Sequence, residues 1–302
     1  MKSNQEENKV YKKQKTVHDF YRASPLPTQE ELSDYYRNKY YQESDTNYNS
    51  YDTEYTSEEL DHKRFEAKLC IHALSKLNVK KGSTFAEFGC GEGFLLDAAH
   101  KAGYEVAGVD FSEFGISKWH PYLKDYFKAD DLFNHLDQLK RDGRKFDVCA
   151  TKNVLEHVLD PEKMMAEMKS LLNPGGYVLV TVPNDFSKLQ NRLLELEMTN
   201  EADWFCPPDH LTYFNTSNIV PFLESQGYKI EDMYCSFPVD VFLMHKGSNY
   251  VFDSKQGKSA HFARVRMDLL IQEAGLDNAL ELYRSFARCG IGRNITVVLS
   301  SK

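Results

Sequence analysis

The sequence predicts an α/β fold: a mostly parallel β-sheet with helices on both faces and a helical cap at the N-terminus. Three observations point there. Short apolar, β-branched runs alternate with longer amphipathic segments from about residue 60 onward. One such run ends in a cluster of glycines, and a helical pattern follows at once. The 302 residues are 41% hydrophobic, with no internal repeat and no long apolar span, so one elaborated domain with a sizeable core is the expectation.

The elements follow in order. Residues 1–15 are polar and read as a disordered tail, and residues 16–60 form a tyrosine-rich cap. Within the cap, Thr28 and Glu31 have capping-box spacing and open a helix through QEELSDYYRNKYY. A second Ser/Glu signal at Ser57–Glu59 opens a helix to about Leu77. Ser83 to Phe88 is a strand that runs into glycines, and Phe94 to Ala102 is a helix. Strands are expected at Glu105–Val109, Asp125–Ala129, Phe146–Thr151 and Tyr177–Val182. A helix from Pro161 to Leu172 is expected to stop at Asn173-Pro174-Gly175-Gly176, with a turn following. After Pro183 the pattern loosens, with later strands at Tyr228–Ser236 and Asn294–Leu299. The main domain therefore spans 61–302, with extra elements at 183–290 that include an insertion before the last strand.

Charge and cysteine usage exclude several classes. A net charge of −8 argues against sequence-independent nucleic-acid binding, which needs clustered Lys and Arg. The six cysteines form no CxxC pair and suit neither a zinc site nor a disulfide framework, which points to a reducing compartment. The N-terminus carries no apolar core of a leader peptide, so a cytoplasmic protein that does not enter a membrane is expected.

The sharpest motif is FAEFGCGEGF, residues 85–94. Gly89, Gly91 and Gly93 let backbone approach a ligand closely at a helix N-terminus. Asp110 ends the next strand, where an acid can accept both hydroxyls of a ribose. A dinucleotide fingerprint wants its third glycine at position 94, which is Phe94 here. Glu87 is poor company for a pyrophosphate and good company for an ammonium or sulfonium cation. This combination resembles motif I of class I S-adenosylmethionine (SAM) dependent methyltransferases. The resemblance continues through KADDLF, FDVCATKNVLEHVLDP and LLNPGGYVLVTVPN, and covers roughly residues 60–185.

That resemblance implies a Rossmann-like, seven-stranded sheet ending in a reversed hairpin, with SAM as cofactor and S-adenosylhomocysteine as product. It implies cofactor contacts from Glu87, the three glycines, Asp110, Phe111 and Asn153, and an adenine contact from Asp130 or Asp131. Arg64 is a candidate partner of the SAM carboxylate, and Tyr40, with Tyr36, a candidate for closing over the cleft.

Lys152-Asn153-Val154 replaces the N/D-P-P-Y/F motif of nucleobase and amide methyltransferases, which disfavours those substrates. From Pro183 on, PNDFSKLQ, WFCPPDHLTYF, KGSNY and GIGRNITVVL resemble a subgroup linked to bacterial surface-polysaccharide and modified-sugar biosynthesis. The resemblance implies a small-molecule acceptor such as a sugar or nucleotide-sugar. His210, after Pro207-Pro208, is the candidate general base, with Asp185 to orient it. His157 is a third catalytic candidate with a strong structural alternative. Asn184, Tyr213, Tyr36, Tyr250 and Arg264 are candidate acceptor contacts, and dimer contacts are an alternative use of the 237–290 insertion. Glu156 and His157 are two donors only, so no metal is expected. N-methylation of an amino sugar and a non-catalytic SAM-binding regulatory subunit remain as alternatives.

Overall fold

The computed structural model describes residues 10–36, 54–200 and 203–302. It opens on a hairpin, β1 (Lys12–Lys15) and β2 (Tyr21–Ser24), where the sequence predicts a disordered tail through residue 15. The lysines are compatible with a strand because β1 is an edge whose charges face solvent, while Lys13 Nζ lies over the rings of Tyr21 and Phe186. Two capping boxes then start helices. Thr28 and Glu31 cap α1 (Gln29–Tyr35), and Thr56 and Glu59 cap α2 (Ser57–Lys76). Tyr40 lies outside the described residues.

The chain next alternates as the pattern predicts: β3 (Thr84–Phe88), α3 (Phe94–Lys101), β4 (Glu105–Asp110), α4 (Phe114–Trp119) and β5 (Phe127–Ala129). It continues with α5 (Leu132–Arg141), β6 (Phe146–Lys152), α6 (Pro161–Ser170) and β7 (Leu172–Pro183). Asn173-Pro174-Gly175-Gly176 is not a free turn. It is absorbed into β7, and the register against β6 shifts between Phe146 and Val148. Then come α7 (Lys188–Glu195), the two-residue β8 (Thr212–Tyr213), α8 (Ile219–Ser225), β9 (Tyr228–Cys235), α9 (Gly257–Glu273), α10 (Leu276–Cys289) and β10 (Asn294–Ser301).

The central sheet has seven strands in the order β5-β4-β3-β6-β7-β10-β9. The first five are parallel, and β10 runs antiparallel between β7 and β9. Both faces are covered, which is why the strands read as nearly continuous apolar runs. Ala86, Phe88, Val178 and Val180 meet side chains of α5, α6 and α8, while Phe85, Val148 and Leu179 meet α2, α3 and α10. Each such side chain contributes roughly 1.5–3 kcal/mol by leaving water.

The second sheet, β1-β2-β8, ties the N-terminal cap to the 203–214 loop. The insertion between β9 and β10 packs on α2, where His62 Nε2 meets buried Asp268 at 2.8 Å. The parallel strands all end on one side, and that side carries the glycine loop.

Candidate active site

The glycine loop takes a path that only glycine adopts freely. Gly89, Gly91 and Gly93 have φ of +78°, +52° and +79°. A Cβ on Gly89 would lie 2.3 Å from Val154 Cγ2, and one on Gly93 2.3 Å from Ile116 Cδ1. Asp110 fixes the loop, accepting from Gly91 N at 2.9 Å and from Ser112 N at 3.1 Å. Burial raises its pKa, against the pull of those N–H groups.

Two adjoining cavities share Gly89, Asp110, Asn153 and Val154. The first, about 190 Å³, is lined by Phe111, Asp131, Phe133, His157 and Tyr36 among others. The second, about 270 Å³, is lined by Glu87, Lys63, Glu66, Lys152 and Tyr55 with the rest of the loop. Asn153 turns through φ +55° at the wall between them, its N–H bonded to Thr181 O at 2.8 Å.

The second cavity is built around charge. Glu87 is 3% exposed and its Oε2 has no hydrogen-bond partner. Burial pushes its carboxyl up to about 8, with Lys152 opposing the shift and Asp110 adding to it. Lys152 is itself paired to Glu66 at 3.1 Å. Burial opposes the Glu66 charge, but Lys152, His62 and Arg264 hold its pKa far below the usual carboxylate range. Lys63 pairs with Glu92 at 2.8 Å and lies over the Tyr55 ring.

Arg64 does not reach this cavity. It pairs with Asp61 at 3.0 Å and lines a separate groove with Lys68, His72 and Lys101, because one residue along α2 turns the side chain about 100° away from Lys63. Of the two adjacent acids, Asp131 lines the first cavity and also caps α5 through Phe133 N and Asn134 N. Asp130 does not line it; its carboxylate accepts from Asp131 N.

The loop DWFCPPDHLTYF is seated against the exits of β6 and β7 by backbone hydrogen bonds. Leu211 N and Thr212 N both donate to Glu156 O, at 2.8 and 3.1 Å, and Asp185 N donates to Phe214 O at 2.7 Å. These bonds bring His210 between the exits of β6 and β7. Its ring lies 4.8 Å from the His157 ring, nearly edge-on at 81°. Its Nδ1 is 3.6 Å from Asp185 Oδ2, and Arg293 Nη1 donates to Asp185 Oδ1 at 2.9 Å. Burial works against a charge on His210, yet Asp185, Cys206 and Glu156 outweigh it and hold its pKa well above the ordinary value. His157 goes the other way. Burial and the neighbouring His210 charge lower it to about 4, and its Nδ1–H donates to Asp209 O at 2.7 Å. Glu156, 1% exposed, is pushed up to about 8 by burial, against the pull of His210.

Four expected acceptor contacts are placed elsewhere. Tyr213 is 1% exposed and holds the loop, donating to His210 O at 2.7 Å and accepting from Cys206 N at 3.2 Å. Asn184 is fully buried, bridging Gly292 O and Thr216 N. Tyr250 stands behind the site, bonded to Asp240 at 3.0 Å, in a cluster with Leu189, Trp204 and Leu243. Arg264 sits beside His261 on α9. Neither Tyr250 nor Arg264 lines the two cavities. Tyr36 does line the first, edge-on to His157 at 6.2 Å. Lys63, Lys152, Glu66 and Arg293 carry roles that the motif reading does not assign. The signal for Arg293 was present in GIGR, and for Lys152 in its place at a strand exit.

A seven-stranded sheet of this order, with a glycine loop after its first central strand and an acid after the second, is a Rossmann-like α/β fold. Residues 60–232 match the methyltransferase-domain family, and the chain belongs to that family. Among curated relatives it is 28% identical over 159 residues to a ubiquinone biosynthesis O-methyltransferase of Coxiella burnetii (strain Dugway 5J108-111), covering 51% of this chain and 66% of that protein. It is 28% identical over 185 residues to a SAM-dependent methyltransferase of Mycolicibacterium smegmatis, covering 61% and 64%. The chain thus spans about two thirds of the length of these relatives, or slightly less. Among solved structures, the methyltransferase complexed with the Haloferax volcanii Trm112 activator superposes with a TM-score of 0.50 at 17% identity, over 81% of this chain and 93% of that one.

The cofactor of the class is SAM, and the residues here fit it. The Glu87 carboxyl, whose Oε2 has no hydrogen-bond partner, would take the ammonium, Asp110 the ribose, and Asp131 and Phe111 the adenine end of the cleft. A pH dependence follows. Glu87 in the ligand-free fold has a pKa near 8 against an ordinary 4.5, so its contribution to stability is fully present below about 4.5 and is lost as pH rises through 8. A bound cation favours the ionised form. We expect SAM binding at pH 7 to release a proton and SAM affinity to rise from pH 6 to 8. Calorimetry in buffers of different ionisation heat reads both effects, and Glu87→Gln should abolish them. A pH-independent affinity in the wild type would separate Glu87 from the cation.

Proposed function

We propose that the protein transfers a methyl group from SAM to a hydroxyl of a small-molecule acceptor, with His210 receiving the proton after losing the one that Asp185, Cys206 and Glu156 favour, so that turnover rises with pH through its raised pKa. The observation that carries the reading is the line Arg293–Asp185–His210. A carboxylate fixed by the partly exposed Arg293 guanidinium faces one ring nitrogen of His210 at 3.6 Å, close enough to favour the imidazolium electrostatically. When bound, SAM supplies an activated methyl group on sulfur. The chain aligns the acceptor, excludes water and removes the hydroxyl proton. Tyr36 and His157 form the cleft wall on the acceptor side, and Asp185 compensates the imidazolium as it forms.

For the acceptor we propose a sugar or nucleotide-linked sugar, supported by the PNDF, PPDHLTYF and GIGR segments, which lie together around His210. A phenolic acceptor is the second reading, favoured by the O-methyltransferase relatives. Incubation of the purified chain with labelled SAM and parallel panels of nucleotide-sugars and catechols separates the two. Methylation of a sugar hydroxyl supports the first, methylation of a phenol only replaces it with the second, and methylation of an amino sugar at nitrogen would remove the need for a base. Tight SAM binding with no turnover on either panel would favour a non-catalytic, regulatory subunit.

A further inference from the structure

We infer that Glu156, His157 and His210 form a binding site for a divalent transition-metal ion, with zinc the probe that suits its donors. Two of the donors are adjacent in VLEHV, which alone does not define a site. The fold adds the third from the 203–214 loop, and one donor atom from each residue lies within 4.8 Å of the others. A tetrahedral ion bound at ~2.0–2.2 Å spaces its ligand atoms ~3.4 Å apart, so a pair at the 4.8 Å limit closes by roughly 1.4 Å through side-chain rotation.

Each donor is prepared. His157 Nδ1–H donates to Asp209 O at 2.7 Å, which fixes the tautomer and leaves the Nε2 lone pair 3.8 Å from Glu156 Oε1. Both Glu156 oxygens are buried and have no hydrogen-bond partner. Such a carboxylate costs about 1–3 kcal/mol or more if nothing meets it, and an ion would meet both oxygens' need. His210 Nδ1 lies 3.6 Å from Asp185 Oδ2, and Arg293 donates to the other Asp185 oxygen. Imidazole and carboxylate donors suit zinc and its neighbours better than calcium or magnesium. A second set, Cys206, Asp209 and His210, shares one donor with the first. It lacks an orphaned group as deeply buried as Glu156.

Occupancy would take the His210 lone pair that the proposed transfer uses, so a bound ion silences the base. That consequence rests on the proposed function; the ion site does not.

Calorimetric titration of the full chain with zinc chloride tests the site directly. The expected result is one ion per chain, with binding weakened in Glu156→Gln and in His157→Asn by at least the ~10-fold that even an outer-shell partner is worth. Cys206→Ser should bind as the wild type does, and the cobalt-loaded protein should show no thiolate charge-transfer band. Thermal melting establishes that each variant is folded, and His157→Asn carries the test if Glu156→Gln is not. Absence of zinc binding, wild-type affinity in both variants, or loss of binding in Cys206→Ser would each overturn the assignment. Methyl transfer that continues at saturating zinc would leave the ion site in place and remove His210 as the base.

Discussion

His210→Ala is expected to lower turnover by about 10²–10⁴-fold, the usual worth of a positioned general base, while leaving SAM affinity nearly unchanged. In free energy that is roughly 2.7–5.5 kcal/mol of transition-state stabilisation. The split between the two readouts is what separates chemistry from structure. His210 lines neither of the two cavities, and its loop is seated without the imidazole, by Leu211 N and Thr212 N to Glu156 O, Asp185 N to Phe214 O and the Tyr213 hydroxyl. Removing the imidazole leaves those bonds in place. It does leave Asp185 with Arg293 as its ionic partner, which keeps that buried carboxylate compensated.

Asp185→Asn should act through His210 rather than beside it. It removes the charge that stabilises the imidazolium, so it should lower kcat more than it raises KM, and the double variant should be little worse than His210→Ala alone. Single-turnover kinetics with the acceptor saturating measures the effect. A His210→Ala protein with full activity would take the residue out of the chemistry, and multiplicative losses in the double variant would make Asp185 an independent contributor.

Much of this arrangement was legible in the sequence, and the reasons are local. Thr28 with Glu31 is a complete capping signal within four residues. The glycine loop is legible because positive φ at Gly89, Gly91 and Gly93 demands glycine itself. Strand β7 was legible in its YVLVTV half because that half is buried on both faces. Its start was not, since Pro174 and the two glycines signal a turn and only pairing with β6 makes them a strand. Strand β1 was illegible because KKQK has no apolar alternation, and its order comes from β2 and from the rings under Lys13.

At the site, motif residues were recoverable and their neighbours were not. Arg64 and Lys63 differ only in helix phase, and the phase that faces the loop depends on how α2 packs. Tyr213 looked like a contact because it is aromatic in an acceptor-side loop, and it is instead the buried brace of that loop. The meeting of Glu156, His157 and His210 was invisible for a more basic reason. Nothing in VLEHV announces that its carbonyl will receive the backbone of residues 211 and 212.

Asp110→Ala is the second large effect expected, on binding rather than turnover. Hydrogen bonds to a charged group are worth about 1.5–3 kcal/mol, which corresponds to a loss of SAM affinity of roughly 10- to 150-fold. Asp110 stands at the junction of the two cavities, where its position after the second central strand suits a ribose. It has a second duty, since its carboxylate also holds Gly91 N and Ser112 N. Alanine removes both functions, so a bare loss of affinity would not tell them apart.

Asp110→Asn does. An amide gives up the charge and keeps only one of the two loop bonds, because Gly91 N and Ser112 N are held by different carboxylate oxygens. If the ribose contact dominates, the Asn variant should lose more SAM affinity than the one broken loop bond, read from its drop in melting temperature, accounts for. If loop shaping dominates, its loss of affinity should match that drop, and the Ala variant, with both bonds broken, should lose more. Calorimetry with SAM and with S-adenosylhomocysteine, beside thermal melting of the ligand-free proteins, gives the comparison. Unchanged affinity in Asp110→Ala would sink the placement of the cofactor ribose at this junction.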